Sequence, residues 1–127
     1  MNTKKVLFAD DEPGMRWIFE KILLKEGFEV DLAVDGYMAI EMAERTFYHI
    51  VVIDSKMPGI TGQEAIKEIE RLSPKTKFIM LSGYPLDPAT EERVARGEIA
   101  LLKKPFDNNA VIGKLYELCE TTRAVNS

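Results

Sequence analysis

The chain has 127 residues and a formal net charge of −4, with 17 Lys and Arg against 21 Asp and Glu. The basic residues are scattered along the chain rather than gathered in a stripe, which argues against direct binding to nucleic acid. No apolar stretch approaches the roughly 20 residues that span a bilayer, and the amino terminus has no signal-peptide pattern, so we expect a cytoplasmic protein without membrane contact.

Strand-like apolar runs alternate with helical patterns along the chain, and this alternation predicts βαβ units in a parallel sheet. Short right-handed crossovers on both faces of the sheet give an α/β, flavodoxin-like (βα)5 doubly wound fold with strand order 2-1-3-4-5. The length suits a single domain, residues 1–127, with an ordered core at about 4–120 and a polar, frayed tail at 121–127.

The first strand is an apolar run at residues 6–9 that stops on Asp10 and Asp11. Pro13 suits the first position of the helix that follows. Apolar residues recur in that helix at the spacing of one buried face: Met15, Ile18, Phe19, Ile22 and Leu23. Trp17 falls off this face, and partial burial is favoured for it over a docking role.

Three elements follow, namely a short edge strand at residues 30–34, a helix at 37–46 and a strand at 50–53 that stops on Asp54. The third helix is predicted to begin near Gly62 and to end before Pro74, with four apolar residues inward: Ala65, Ile66, Ile69 and Leu72. Gly59 and Gly62 form no phosphate-binding fingerprint and are interpreted as turn residues. His49 stands at the opposite end of its strand from Asp54, which favours a structural role.

The last two strands are the run at residues 78–81, which stops on Ser82, and the run at 99–102, which stops on Lys103-Lys104-Pro105. Between them, Asp87 and Pro88 begin a helix whose one large apolar anchor is Val94, so we expect this helix to be loosely held. Asp107 caps a fifth helix with four residues turned to the sheet: Val111, Leu115, Leu118 and Cys119.

Polar side chains thus end four of the predicted strands, and the carboxyl ends of parallel strands meet at one edge of the sheet. The side chains expected there are Asp10, Asp11, Asp54, Ser82 and Lys104. Three carboxylates, a hydroxyl and an ammonium at one point are suited to hold a divalent cation and a phosphoryl group.

Each of these groups has a chemical role in such a site. Mg²⁺ favours octahedral oxygen coordination with one or two carboxylates, which Asp11 and Asp54 would supply. A bound dication keeps neighbouring carboxylates ionised, and an ionised Asp54 is a nucleophile that can form an aspartyl-phosphate. Lys104 would neutralise the phosphoryl oxygens, and Ser82 would donate a hydrogen bond to them.

In these motifs the chain resembles the receiver domain of two-component response regulators, over essentially its whole length. The matching segments are Phe8-Ala9-Asp10-Asp11-Glu12, Ile53-Asp54-Ser55-Lys56-Met57-Pro58-Gly59 with Gly62, Leu81-Ser82-Gly83, and Lys103-Lys104-Pro105-Phe106. The resemblance implies a signalling protein that takes a phosphoryl group from a phosphohistidine and then changes its protein contacts. The donor would be a sensor histidine kinase or a histidine phosphotransfer protein.

The resemblance also implies a role for each site residue. Asp54 is the phosphoacceptor, Lys104 pairs with the phosphoryl group, and Ser82 moves to hydrogen-bond it. The implied Mg²⁺ ligands are Asp10 through a water, Asp11, Asp54 and the backbone carbonyl of Lys56. The bond between Lys104 and Pro105 is expected to be cis.

Two features depart from common receivers. Leu101 stands where many have a Tyr or Phe that swings inward, so readout through the loops and the fourth helix is expected instead. Lys56 and Tyr84 flank the path of water to the acyl phosphate, which predicts slow self-dephosphorylation. This pair resembles that of single-domain sporulation-phosphorelay receivers, whereas the segment Met15-Arg16-Trp17 is similar to nitrogen-regulation-type receivers.

Two alternatives stay open. The chain is either a stand-alone receiver or the receiver domain of a longer transcriptional regulator. A Mg²⁺-dependent phosphatase or phosphotransferase for small molecules would use the same acidic cluster, but it needs an acid/base Asp where this chain has Lys56. We therefore expect a self-phosphorylating receiver rather than a turnover enzyme, acting on a downstream protein that the sequence does not identify.

Overall fold

The computed structural model describes residues 3–83 and 85–126, with side-chain positions as far as Cys119. The strands are β1 (Lys5–Ala9), β2 (Glu29–Ala33), β3 (Ile50–Asp54), β4 (Lys77–Ser82) and β5 (Ala100–Lys103). The helices are α1 (Pro13–Lys25), α2 (Gly36–Arg45), α3 (Gly62–Leu72), α4 (Pro88–Ala95) and α5 (Asn108–Asn126). All strand pairs are parallel and their order is β2-β1-β3-β4-β5, so the predicted topology is confirmed.

Local capping fixes where most of the helices begin, because a side-chain oxygen accepts from an otherwise unpaired backbone N–H. Asp35 accepts from the Met38 N–H at 2.8 Å before α2, and Asp107 accepts from the Ala110 N–H at 2.9 Å before α5. Thr61 and Glu64 form a reciprocal capping box at the start of α3. The start of α3 is therefore held firmly just beyond the end of β3.

The sheet has a hydrophobic core on each face, as a doubly wound fold requires. Phe19 of α1 and Leu115 of α5 pack on one face, where Phe19 stacks on Phe8 at a centroid separation of 4.2 Å. Ile66 and Ile69 of α3 pack on the other face, which α2 and α4 also cover. These two layers bury the central strands on both sides and leave their carboxyl ends as the place for polar chemistry.

Two residues predicted to face the core lie at its margin. Ile18 is 42% exposed because the buried stripe of α1 runs through its neighbours Phe19, Ile22 and Leu23. Leu72 is 38% exposed because it is the last residue of α3, where the helix leaves the sheet. Trp17 is 62% exposed, so the partial burial favoured for it is wrong.

Helix α4 is attached by few apolar contacts. Thr90 is its one buried residue, and Val94 is partly buried against the core. Beside it, a surface pocket of about 800 Å³ separates α4 from the end of β5. Polar contacts hold α4 through Arg93, which forms ion pairs with Glu70 of α3 and with Glu98 before β5. The weak apolar anchoring predicted for this helix is confirmed.

Helix α5 continues through residues 121–126, where the sequence predicts a frayed tail. Fraying is a motion, which a single conformation does not test, so it stays a prediction. Cys119 packs at the edge of the core rather than fully inside it. Across the described parts of the chain, the helices are too short or too polar to cross a membrane.

Candidate phosphorylation site

The first and third strands bring three carboxylates together. Asp10 directly follows β1, and its N–H donates to the Ala33 carbonyl at 3.1 Å, while Asp54 is the last residue of β3. With Asp11, they form a cluster in which one carboxylate oxygen from each residue lies within 4.8 Å of the others. The predicted convergence of these three side chains is confirmed.

Asp10 is fully buried, and one of its two carboxylate oxygens has no partner among the described residues. Its Oδ1 accepts from the Glu12 N–H at 2.9 Å, whereas Oδ2 is buried without a hydrogen bond. Burial, reinforced by the nearby charges of Asp54 and Asp11, raises the pKa of Asp10 to about 6. A buried, unpartnered carboxylate oxygen beside two other acids is the feature expected of a cation ligand.

Asp54 is held at both oxygens of its carboxylate. Its Oδ2 accepts from the Lys104 ammonium at 2.9 Å, and its Oδ1 accepts from the backbone N–H of Lys56 at 3.2 Å. The residue is 5% exposed, so a small opening remains at the surface above it. The carboxylate is thereby fixed in orientation with a cation already beside it.

Lys104 reaches this carboxylate from the opposite side of the site. Its backbone N–H donates to the Ser82 carbonyl at 2.8 Å, which ties the loop after β5 to the end of β4. Burial by itself lowers the pKa of the Lys104 ammonium, but the hydrogen bond and charge of Asp54, with Asp10 and Glu12 adding, raise it above its ordinary value. The Lys104–Pro105 peptide bond is cis, as the resemblance implies.

A hydroxyl pair that the sequence pattern did not reveal lies beside the acids. Ser82 is 3% exposed at the end of β4, and Ser55, next to Asp54, is 5% exposed. The Ser55 hydroxyl donates to the Ser82 hydroxyl oxygen at 3.1 Å. Their separation along the chain leaves no local sequence signal for this contact.

Gly62 acts through close packing rather than through a turn. A Cβ at this position would lie 2.4 Å from the Asp54 carbonyl oxygen and 2.9 Å from the Ser55 Cα. The turn interpretation holds for Gly59, which has a φ of 89°. Gly62 instead allows the start of α3 to touch the backbone at the end of β3.

Arg16 is a second contributor that sequence reasoning missed. Its guanidinium donates to the Asp10 backbone carbonyl at 2.8 Å, from one turn inside α1. This contact fixes the loop that carries Asp10 and Asp11 and brings a positive charge to the acidic cluster.

The other predicted residues divide between the site and its surroundings. Leu101 is partly buried, and it lines the pocket beside α4 together with Ser82 and Lys104. Lys56 is exposed two residues after Asp54, and Tyr84 lies outside the described residues. His49 is at the far end of β3, where its Nδ1 accepts from the Lys5 N–H at 2.9 Å, as expected for a structural residue.

Comparison with known proteins identifies the class to which this fold and site belong. The chain matches the family model of the response regulator receiver domain over residues 6–116. It is therefore a member of the receiver domain family, whose members are the phosphoacceptors of two-component signalling.

Particular relatives agree with this assignment. The chain is 34% identical over 116 residues to the chemotaxis protein CheY of Thermotoga maritima, covering 91% of this chain and 97% of that protein. It is 36% identical over 118 residues to the transcriptional regulatory protein YesN of Bacillus subtilis, covering 90% of this chain and only 32% of YesN. The solved structure of Vibrio cholerae CheY4 superposes with a TM-score of 0.82 at 28% identity, covering 92% of this chain and 99% of CheY4.

Proposed function

We propose that this receiver accepts a phosphoryl group from a phosphohistidine onto Asp54 with the help of Mg²⁺. The observation that carries the proposal is the Asp54 carboxylate, held at 2.9 Å by Lys104 and set within a cluster of three acids. A nearly buried carboxylate with a fixed ammonium on one oxygen is arranged for in-line attack on phosphorus.

The transfer exchanges one bond for another. A carboxylate oxygen of Asp54 attacks the phosphorus atom, and the bond from phosphorus to the donor imidazole nitrogen breaks, leaving its electron pair on that nitrogen. Lys104 neutralises the oxygens of the transferred group, and Ser82 donates a hydrogen bond to them after moving toward Asp54. The backbone N–H of Lys56 keeps the Asp54 carboxylate oriented during the attack.

The acidic cluster fits a hard dication. The ligands would be Asp10, directly or through water, Asp11, Asp54 and the backbone carbonyl of Lys56. The buried, unpartnered Oδ2 of Asp10 supports this assignment, since a cation would satisfy it. When bound, Mg²⁺ supplies charge neutralisation for the phosphoryl oxygens.

The proposed protein partners are a sensor histidine kinase or histidine phosphotransfer protein as donor and a downstream protein as target. Leu101 fills the place of an inward-swinging aromatic residue, so readout passes through the loops and α4. Lys56 and Tyr84 are proposed to shield the acyl phosphate from water and so to slow its loss. The chain would then act as a stoichiometric phosphoacceptor in the cytoplasm rather than as a turnover enzyme.

A second candidate is a receiver domain that belongs to a longer transcriptional regulator. The match to YesN, of which this chain spans 32%, favours keeping this candidate. The phosphoacceptor chemistry at Asp54 is the same in both cases.

Phosphotransfer from purified, radiolabelled histidine kinases tests the proposal. Label should move in the presence of Mg²⁺ to the wild-type chain, with one kinase kinetically preferred, and should not move to Asp54→Asn. Asp107→Asn is a matched control, because Asn caps a helix as well as Asp does. Transfer to Asp54→Asn at the wild-type rate, or catalytic release of phosphate from a small acyl phosphate over many turnovers, would contradict the proposal.

A further inference from the structure

The contact between the hydroxyls of Ser55 and Ser82 lies at the residue that the proposed function requires to move. In the proposed function Ser82 moves to the phosphoryl group, and it then leaves its present position, in which its oxygen accepts from Ser55 at 3.1 Å. Both residues are more than nine-tenths buried, so water does not readily replace the lost bond. Ser55 therefore influences the position of Ser82 before phosphorylation.

The backbone of Ser55 is held from two sides, so it is not free to shift together with Ser82. Its N–H donates to the Leu81 carbonyl at 2.8 Å, and its carbonyl accepts from the Gly62 N–H at 3.0 Å. The backbone of α3 also presses on it at Gly62, where there is no room even for a Cβ. The donor hydroxyl is thus attached to a rigid point between β4 and α3.

We infer that Ser55 is a positioning residue that holds Ser82 in the unphosphorylated arrangement and so sets how easily the receiver switches. This inference rests on the proposed function, since it assumes that Ser82 moves to the phosphoryl group on Asp54. When Ser82 moves, the Ser55 hydroxyl loses its acceptor inside the protein, and this cost opposes the switched state. Removing the Ser55 hydroxyl removes that cost and also leaves the unswitched Ser82 oxygen without this donor.

The expected result is that Ser55→Ala binds a phosphoryl analogue more tightly than wild type. One buried hydrogen bond corresponds to an affinity gain of about fivefold, or about 1 kcal/mol. The measurement is a calorimetric titration with beryllofluoride at saturating Mg²⁺. Ser73→Ala is the matched control, because it deletes a hydroxyl that pairs with Thr76 at 2.7 Å away from the site and should leave the affinity unchanged.

A double-mutant cycle separates positioning from a general structural effect. If Ser55 acts through Ser82, then adding Ser55→Ala to Ser82→Ala should not change the beryllofluoride affinity. Ser55→Cys keeps the size with a weaker donor and replaces Ser55→Ala in the cycle if the alanine variant does not fold.

The outcomes divide cleanly. Unchanged or weaker beryllofluoride affinity in Ser55→Ala, or equal tightening in the Ser82→Ala background, overturns the role of Ser55 and leaves the proposed function intact. Failure of the wild-type chain to bind beryllofluoride with Mg²⁺ overturns the proposed function, and the role of Ser55 falls with it.

Discussion

Acidic and basic side chains lie close together at the carboxyl edge of the sheet, where Lys104 and Arg16 are the basic ones. Asp10 is fully buried with a raised pKa, whereas Lys104 keeps its proton through its contact with Asp54. Arg16 holds the loop of the acidic pair by its backbone rather than by a carboxylate. Asp54 is thus paired with Lys104, whereas the buried Oδ2 of Asp10 has no hydrogen-bond partner among the described residues.

The convergence of Asp10, Asp11, Asp54 and Lys104 could be predicted from the sequence, because each of them stands at the end of a strand and parallel strands share an edge. The contact of Ser55 with Ser82 could not be predicted in the same way. Ser82 belongs to another strand, and a single serine after an Asp forms no motif that indicates a partner. Arg16 also escaped, since a basic residue in the first turns of a helix is ordinarily solvated. The positions of strand ends do not predict contacts such as these, which depend on the length and direction of individual side chains.

His49 predicts a pH dependence of stability at the end of the sheet opposite the site. Burial, with the positive charge of Lys4, lowers the pKa of the His49 imidazole below its ordinary 6.5. The Lys5 N–H also donates to its Nδ1, which has to stay unprotonated to accept. This group therefore contributes stability above about pH 6.5 that is lost as the pH falls through the folded pKa.

We expect wild type to lose more unfolding free energy than His49→Asn between about pH 8 and about pH 5, because Asn can accept from Lys5 and does not titrate. Urea unfolding at both pH values measures the difference, and an NMR titration of the His49 ring gives the folded pKa directly. A ring pKa above 6.5, or equal losses in the two proteins, would contradict this account.

At the scale of elements, the helices differ in what holds them. Helices α1, α3 and α5 have buried apolar stripes, whereas α4 has buried Thr90 and partly buried Val94. The weak attachment of α4 could be predicted from the sequence, because a helix without an apolar stripe cannot be tightly packed. The ion pair that holds α4 could not be predicted, since Arg93 contacts Glu70 on a different helix.

Arg93→Gln should loosen α4 selectively. The Arg93 side chain is only 18% exposed and carries two ion pairs, so we expect a loss of about 1 kcal/mol in stability, with faster amide hydrogen exchange in α4 than in α3. Arg71→Gln is the matched control, because its pair with Glu68 lies on the exposed face of α3 and should contribute little. Exchange that rises equally in both variants would mean that Arg93 does not hold α4.

At the scale of the whole molecule, the topology brings the carboxyl ends of β1, β3, β4 and β5, and the site residues at those ends, to one edge of the sheet. Strand order and both covered faces followed from the alternation of apolar runs and helical patterns. The exposure of Ile18 and Leu72 at the edge of the core could not be predicted from the sequence. The spacing of apolar residues identifies the buried face of a helix but not where that face ends. The close approach at Gly62 was likewise invisible, since its cause is a backbone atom of another element.

Mg²⁺ should stabilise the whole fold, because in the proposed function it binds an acidic cluster that forms only in the folded chain. At ten times its Kd the expected increase in unfolding free energy is about 1.4 kcal/mol. The increase should largely vanish in Asp11→Asn, in which the exposed carboxylate of the cluster becomes a neutral amide and the core is not disturbed. Glu41→Gln removes an exposed acid of α2 and should respond as wild type. An undiminished Mg²⁺ response in Asp11→Asn would place the ion elsewhere.

Intact-mass spectrometry after incubation with acetyl phosphate and Mg²⁺ tests the central claim, phosphorylation of Asp54, most directly. Wild type and the Asp107→Asn control should each gain the mass of one phosphoryl group, and chelation of Mg²⁺ should abolish the gain. Asp54→Asn should gain nothing, because its amide is not a nucleophile for phosphorus. An equal gain in Asp54→Asn would contradict the account.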